Sequence, residues 1–379
     1  MKYRRFKKLG LDISALGFGA MRLPIYDGEA KNINKELTSE IMSYAFDNGV
    51  NYVDTAYPYH EGNSEIIVGD ILKNGYRDKV HLATKSPTWA IEKTEDFDKY
   101  LDEQLNKLQV NHIDFYLLHN LHSKVWNKIK NLNVLEWGQK AIADGRIKYF
   151  GFSIHDSFDV FKKIIDSYDW DFCQIQYNYM NEKIQVGTKG LNYADSKQIP
   201  VTIMEPLLGG TLGSFPEQIQ KMWNKEAKNP IDAAFQWLWN KPEISCVLSG
   251  MSTMEQVKQN IRSANSSGVN TLNKKDIDFI SNIVSEFNKI NPIPCTKCKY
   301  CMPCPVGIDI PRLLHMYNAL KVHKGAQNSL NKALYTGTIP VENNASACIA
   351  CKKCESKCPQ NIPIAEWMPK IHETFLSES

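Results

Sequence analysis

The 379-residue chain has no apolar run that approaches the roughly eighteen residues a membrane helix needs. That excludes a helical span and argues against membrane insertion. It also lacks a strong charge of either sign. Lys and Arg number 45 against 42 Asp and Glu, a formal +3, too weak a field to attract nucleic acid or an anionic surface. The basic start MKYRRFKKLG has no apolar segment behind it of the kind that directs export, so the expected location is cytoplasmic. No GxGxxG follows the first β-rich run; Gly17-Phe18-Gly19-Ala20-Met21 has other spacing and no helix directly after it. Cysteine is almost missing from the first 290 residues. Cys173 and Cys246 lie there in apolar runs and read as packed thiols. The composition, 43% hydrophobic and 23% charged, is that of a globular protein with room for one large domain and a smaller one.

The other eight cysteines stand in two runs near the end, CTKCKYCMPCP (295–305) and CIACKKCESKCP (348–359). Thiolates at two-residue gaps can wrap one compact iron–sulfur cluster. Two zinc sites with four cysteine ligands each are an alternative use of the same residues, and structural disulfides are another. The second run, Cys348-x2-Cys351-x2-Cys354-x3-Cys358-Pro359, has the spacing of bacterial two-cluster ferredoxins; the first is one residue shorter in its last gap. In those ferredoxins the fourth cysteine of each run ligates the other run's cluster. The resemblance therefore implies one [4Fe–4S] cluster on Cys295, Cys298, Cys301 and Cys358. It implies a second on Cys348, Cys351, Cys354 and Cys304.

Before residue 290, strand and helix alternate. Short β-rich runs fall at 15–21, 51–54, 80–84, 113–118, 147–152, 172–177, 200–204 and 244–248. They are mostly apolar, as strands covered on both faces should be. Helical stretches separate them, near 35–48, 63–73, 94–109, 124–143, 157–167, 188–198, 230–240 and 253–262. Asn34 suits an N-cap, Thr94 opens an amphipathic stretch, and Pro230 fits a first turn. Eight such pairs predict an α/β fold, a (β/α)8 TIM barrel; a doubly wound open sheet is the runner-up. Residues 3–14 predict a hairpin. Residues 271–289 predict one more amphipathic helix, with the barrel as the surface for Ile277, Ile280, Ile283, Val284 and Phe287 to cover. The domains are thus expected at 1–290 and 291–379, the second a small, mostly α, ferredoxin-like iron–sulfur domain.

A barrel puts its chemistry where strands end. Asp54 ends the second strand, Tyr59 follows in DTAYPYHEG, Lys85 ends the third and His119 the fourth. Each has an ordinary reading alone: a turn cap, a packed aromatic, a surface charge, a barrel-end histidine. Together they form a coherent set. An ammonium beside a phenol favours the phenolate and lowers its pKa. Asp54 can hold Lys85, and His119 can donate to a carbonyl oxygen. Tyr59 can then give that oxygen its proton as hydride reaches carbon.

On these residues, and on the blocks NYVDTAYPYHEGNSE, DFYLLHN and GRIKYFGFS, residues 3–262 resemble the aldo/keto reductases. The resemblance implies a (β/α)8 oxidoreductase that uses NADPH or NADH on a small-molecule carbonyl or alcohol, without a metal in the barrel. It implies Asp54, Tyr59, Lys85 and His119 as the catalytic tetrad. Glu65 belongs to the same block, and its plain role is to start the following helix. For the nicotinamide, Ser153 and Gln174 match family positions. The family's asparagine is Ile154 here, unless His155 or Asn178 replaces it, and its stacking aromatic is Met204. The rest of the dinucleotide would lie along 207–213 and 249–260, with Leu207, Gly209, Ser249 and Asn260 as contacts. Gly250 and Gln256 stand where many members carry a base for the 2′-phosphate, so nothing here favours NADPH over NADH, and a flavin stays open. Loops 22–34, 86–92 and 119–123 would shape the substrate pocket, with Trp89 and Trp126 as candidate walls.

The tail extends the resemblance to a subgroup of aldo/keto reductase-like proteins with a ferredoxin-like extension. A stiff link at 291–294 and a helical insert over 317–335, broken near Gly325, are expected there. Three functions follow: an oxidoreductase whose clusters pass electrons, with a redox partner protein as donor or acceptor; a plain NAD(P)H-dependent carbonyl reductase with structural clusters; or a non-catalytic electron-transfer or scaffold subunit.

Overall fold

The computed structural model describes residues 1–290, 293–296, 298–322 and 326–377. Part of the expected link at 291–294 and the expected break at Gly325 lie outside that set. Two compact units result: Met1–Leu207 with Ile231–Asn273, and Leu208–Pro230 with Lys274–Ser379.

The first unit is a barrel. Strands β1 (Tyr3–Phe6) and β2 (Leu11–Ser14) pair antiparallel as the expected hairpin. Eight parallel strands follow: β3 (Leu16–Gly19), β4 (Tyr52–Asp54), β5 (His81–Ser86), β6 (Ile113–Leu121), β7 (Ile147–Ile154), β8 (Phe172–Gln176), β9 (Val201–Met204) and β10 (Ile244–Gly250). They close on themselves through β10 and β3, which settles the open sheet against. Phe6, Ile13, Tyr52, Phe115, Leu117, Phe172 and Cys246 pack as one apolar cluster, so side chains fill part of the interior and the fold is no pore. Cys173 and Cys246 are buried, and burial pushes both thiols up.

The helices start and stop for local reasons. Asn34 accepts the Leu37 N–H at 3.0 Å and caps Lys35–Asp47. Thr94 does not cap Glu95–Leu108; its hydroxyl donates to the Leu132 carbonyl instead. The single helix expected over 124–143 is two, Ser123–Asn131 and Val134–Ala143, separated where Asn133 takes a φ of 58°. Among the described residues, no helix is long and apolar enough to cross a membrane.

The second unit is helical. Its core gathers Ile308, Leu313, Leu314, Met368, Ile371 and Phe375, and Tyr335 stacks on Phe375 at 4.3 Å. Helix Glu217–Lys225 was not legible in the sequence. Its Trp223 meets Phe279, and Phe215 meets Phe287. So the helix Lys274–Ile290 covers these rings, where the sequence suggested the barrel as its surface. Ile280, Ile283 and Phe287 are buried, while Ile277 is exposed. Lys228 pairs with Asp276 at 2.6 Å in the same seam.

Candidate active site

Strand register explains why the barrel's polar residues meet. Asp54, the last residue of β4, lies opposite Ala83 of β5. Lys85 is two residues further on and therefore on the same face. Its Nζ donates to Asp54 Oδ1 at 2.6 Å, to the Thr55 carbonyl at 2.7 Å and to Tyr59 Oη at 3.3 Å. The other Asp54 oxygen accepts from Gln174 Nε2 at 3.2 Å. On β6 the register slips between Leu118 and Leu121, and Asn120 has a φ of 53°. This bulge re-aims the strand end at His119, whose ring stands edge-on to Tyr59 with centroids 6.0 Å apart. All four expected tetrad residues thus come together.

Burial dominates their electrostatics. It raises the Asp54 carboxyl against the opposing pull of Lys85, and it lowers Lys85 against the opposing pull of Asp54. His119 is held well below the usual imidazole range by burial, then by Lys85 and His155, so its ring is neutral. Tyr59 departs from expectation. Burial, then Asp54 and Glu205, push its phenol well above 10, although Lys85 touches it. Desolvation of the phenolate outweighs the ammonium, and Tyr59 keeps its proton at neutral pH.

A buried network backs the site. Glu65 accepts from Thr84 at 2.6 Å and from Gln104 at 2.5 Å. Gln104 also donates to the Lys85 carbonyl and accepts from Tyr116. Glu65 does open the helix Ser64–Lys73, but it is fully buried and braces the strand that carries Lys85. Of the candidate walls, Trp89 is 44% exposed with its ring 5.4 Å from His119, while Trp126 is buried against Trp170 and belongs to the core.

The expected nicotinamide contacts are partly in use. Ser153 and Gln174 lie opposite each other on β7 and β8. Ser153 Oγ accepts the Asn120 N–H at 2.8 Å, which fastens the bulge beside His119; its own hydroxyl hydrogen remains to be donated. Gln174 Oε1 is buried without a partner among the described residues, an acceptor ready for an amide N–H. Asn178 is consumed locally: it donates to the Glu205 carbonyl and accepts from Met180 and Asn181. His155, the other candidate for the missing asparagine, is half-buried with its Nδ1 3.1 Å from Gln185 Oε1, and desolvation lowers it to about 4 against that hydrogen bond. Met204 ends β9 half-buried, followed by Leu207. Ser249 and Asn260 are joined by a 3.1 Å hydrogen bond, and Gln256 accepts the Ser252 N–H. Gly209 belongs to the second unit, with a φ of 66°; a Cβ on it would lie 2.7 Å from the Thr296 carbonyl.

Arg22 escaped sequence reasoning, and Glu205, beside Met204, was legible only as a residue that serves the site or caps a turn. Arg22 packs its stem against Gly250, and its backbone carbonyl accepts from Ser252. Glu205 follows Met204 with a φ of 54°. Burial raises its carboxyl to about 7, and Arg22 opposes that. No periodicity signals Arg22; the only hint for Glu205 is its place after a barrel strand.

In the second unit the eight cysteines line two cavities. One is bordered by Cys295, Cys298, Cys301 and Cys358. The other is bordered by Cys304, Cys348, Cys351 and Cys354, with Cys301 at its edge. The grouping is the crossed one that the ferredoxin resemblance implies. Burial pushes the Cys301 thiol up to about 12, and Cys298, Cys295 and Cys358 add to it. Lys299 and Lys352, each directly after the second cysteine of its run, have φ values of 63° and 56°. Such left-handed turns aim successive N–H groups at an anion, which suits a thiolate-bound cluster. Among the described residues no three His, Cys, Asp or Glu side chains close on a single metal-ion site.

Residues 15–284 match the aldo/keto reductase family, and residues 294–362 match a 4Fe-4S dicluster domain. An uncharacterized oxidoreductase of Bacillus subtilis (strain 168), YqkF, is 26% identical over 297 residues, 70% of this chain and 92% of that protein. The NADH-specific methylglyoxal reductase of Escherichia coli (strain K12) is 24% identical over 308 residues, 68% and 90% of the two chains. Among solved structures, the holo form of an aldo-keto reductase from Bacillus halodurans superposes with a TM-score of 0.63 at 22% identity, covering 75% of this chain and 96% of that one. An aldo/keto reductase from Klebsiella pneumoniae in complex with NADP and acetate gives 0.61 at 21%, with the same coverage. The chain belongs to the aldo/keto reductase family, as an oxidoreductase barrel joined to a 4Fe-4S dicluster-type domain.

Proposed function

We propose that the chain interconverts a small carbonyl compound and its alcohol at Tyr59, Lys85, Asp54 and His119. We further propose that two [4Fe–4S] clusters on its cysteines pass electrons to or from a partner. The observation that carries the first part is the reach of Lys85 Nζ to both Asp54 and Tyr59, at 2.6 and 3.3 Å. A nicotinamide cofactor, when bound, supplies or accepts the hydride at carbon. The protein's task is the oxygen. Neutral His119 donates a hydrogen bond to it as negative charge develops. Tyr59, protonated in the resting site, gives up its proton to the far more basic alkoxide. Lys85 then stabilises the phenolate that remains, an interaction strongest where the charge has moved, as catalysis requires. Asp54 opposes the burial that lowers Lys85 and so favours its ammonium. In the alcohol-to-carbonyl direction the same groups act in reverse.

In the barrel unit Ser153, Gln174, Met204, Leu207, Ser249 and Asn260 would hold the dinucleotide, and the unpartnered Gln174 Oε1 supports a carboxamide there. Relatives divide on its type: the E. coli protein is named NADH-specific, while the Klebsiella structure holds NADP. Arg22 is the cation beside Gly250 that could meet a 2′-phosphate; a flavin would need other contacts. A second reading has its own support. Six of the cysteines pack on the apolar core of the helical unit, so the clusters could serve folding alone, with nicotinamide as the only electron source.

Anaerobically isolated protein should contain about eight iron and eight sulfide per chain; zinc in their place overturns the cluster assignment. Tyr59→Phe should lower carbonyl reduction by roughly 10²–10⁴-fold with iron content unchanged. Turnover at the wild-type rate would remove Tyr59 from its role.

A further inference from the structure

The two cysteine cavities differ in how they meet the surface. The Cys295 cavity is bordered by the buried Leu314 and Ile362 and by a single exposed lysine among the described residues, Lys299. The Cys348 cavity is bordered by Lys352, Lys353, Lys357 and Ile349. All three lysines are exposed, Ile349 is 63% exposed, and Cys351 is itself at the surface. None of the three lysines forms an ion pair among the described residues. The one acid within the loop, Glu355, is turned away: its carboxylate accepts the Ala365 N–H at 2.8 Å and caps the last helix, Ile364–Leu376. The result is a patch of three unneutralised cations around an apolar residue, directly over a thiol set. Val341, 72% exposed, adds a second apolar residue to this unit's surface.

We infer that this lysine-rimmed face is the docking site of an acidic one-electron carrier protein, which exchanges electrons with the cluster held by Cys304, Cys348, Cys351 and Cys354. The inference rests on the two-cluster reading above. The step is one electron from reduced carrier to oxidised cluster, or the reverse; no bond forms or breaks and no proton is required. The partner is chosen by charge. A carrier with carboxylates around its redox centre is steered toward Lys352, Lys353 and Lys357, while the exposed Ile349 on the same cavity rim offers an apolar contact. The Cys295 set is the inner member of the pair. Thr296 beside it meets Gly209 of the loop Leu208–Gly213, and that loop continues the chain from β9. Electrons entering at the lysine rim therefore have an order within this unit: the Cys348 set first, then the Cys295 set.

The test uses the holo chain, with iron and sulfide counted first. Cluster reduction is followed by visible absorbance in stopped flow, with a reduced acidic ferredoxin as one donor and the methyl viologen radical cation as the other. Wild type should accept electrons from the ferredoxin at a rate that falls steeply with salt. The triple variant Lys352→Glu, Lys353→Glu, Lys357→Glu should be slower with ferredoxin by roughly tenfold or more and lose most of that salt dependence. With viologen, a cation, it should be as fast or faster. If the glutamates lower iron content, the three glutamine substitutions replace them, with the same sign expected. Equal ferredoxin rates in wild type and variant, or a salt-independent wild-type rate, would overturn the docking site. Absence of iron from the wild-type protein would instead overturn the two-cluster reading beneath it.

Discussion

Replacing Lys85 with methionine separates what the buried ion pair does for the fold from what it does for chemistry. Lys85 and Asp54 are 1% and 5% exposed in their side chains. Methionine keeps the unbranched stem and fills most of the same volume, so the change is chiefly one of charge. Asp54 would keep only the Gln174 hydrogen bond, 3.2 Å long. Stripping a buried carboxylate of its cation costs about 3–5 kcal/mol. For a barrel of this size that lowers Tm by on the order of 10 °C. Burial already holds the Asp54 carboxyl above its ordinary value, and loss of Lys85 raises it further. A group whose pKa is raised in the folded state favours folding while protonated. The Lys85→Met variant should therefore recover stability toward acid pH and lose it as pH rises through the new pKa. The double variant Asp54→Asn, Lys85→Met removes both charges and should melt within about 1–2 kcal/mol of wild type, since a neutral pair needs no counterion. Its carbonyl reduction should stay down by roughly 10²-fold or more, because nothing remains to stabilise the Tyr59 phenolate. Thermal melts at pH 5 and 8, with turnover on the same samples, decide the matter. A single variant that melts with wild type at pH 8 refutes the electrostatic argument. A double variant with wild-type turnover refutes the role given to Lys85.

Two further outcomes follow from the same reasoning. Burial raises Glu205 from an ordinary 4.5 to about 7, so its contribution to stability is complete below 4.5 and is lost as pH rises through 7, by up to roughly 3 kcal/mol. Glu205→Gln should flatten that part of the Tm–pH curve, and an unchanged slope would show that Glu205 is not the group responsible. The crossed cysteine sets predict that Cys358→Ser disturbs the cluster of the other run. Its electron paramagnetic resonance spectrum should match that of Cys298→Ser, and a match to Cys351→Ser would return Cys358 to its own run.

The barrel was legible because each strand is a short, mostly apolar run separated from the next by a helical stretch, and every predicted strand appears with its boundaries moved by a few residues. Asp54, Tyr59, Lys85 and His119 were legible for the same reason: their position at strand ends and their chemistry coincide. What escaped depends on contacts between distant segments. EQIQKMWNK reads as a polar stretch until Trp223 is seen against Phe279. Glu65 reads as a helix opener until Thr84 and Gln104 are found on its carboxylate. The direction of the Tyr59 pKa was misjudged because sequence displays the neighbouring ammonium but not the loss of water around the phenol. The crossed cysteine pairing was implied by the resemblance to two-cluster ferredoxins, and the two cavities divide the thiols in the same way.

The remaining tension is between a two-electron site and one-electron carriers, and the loop Leu208–Gly213 bears on it. This loop continues the chain from β9, yet it packs within the cysteine unit. Gly209 sits so near Thr296 that a Cβ would lie 2.7 Å from its carbonyl. Its φ of 66° also disfavours any side chain. Thr296 in turn follows Cys295, a residue of the inner cavity. An anion drawn to this loop would therefore press on backbone that adjoins a residue of that cavity. Linkage makes the effect mutual: if cluster occupancy or charge alters dinucleotide affinity, dinucleotide binding must alter the cluster's equilibrium by the same factor. Such reciprocity, where the coupling exists, is the same whether the clusters carry electrons or only organise the tail. What separates the two cases is the rate from an acidic ferredoxin and its salt dependence at the lysine rim around Cys351, which a purely structural cluster would not show.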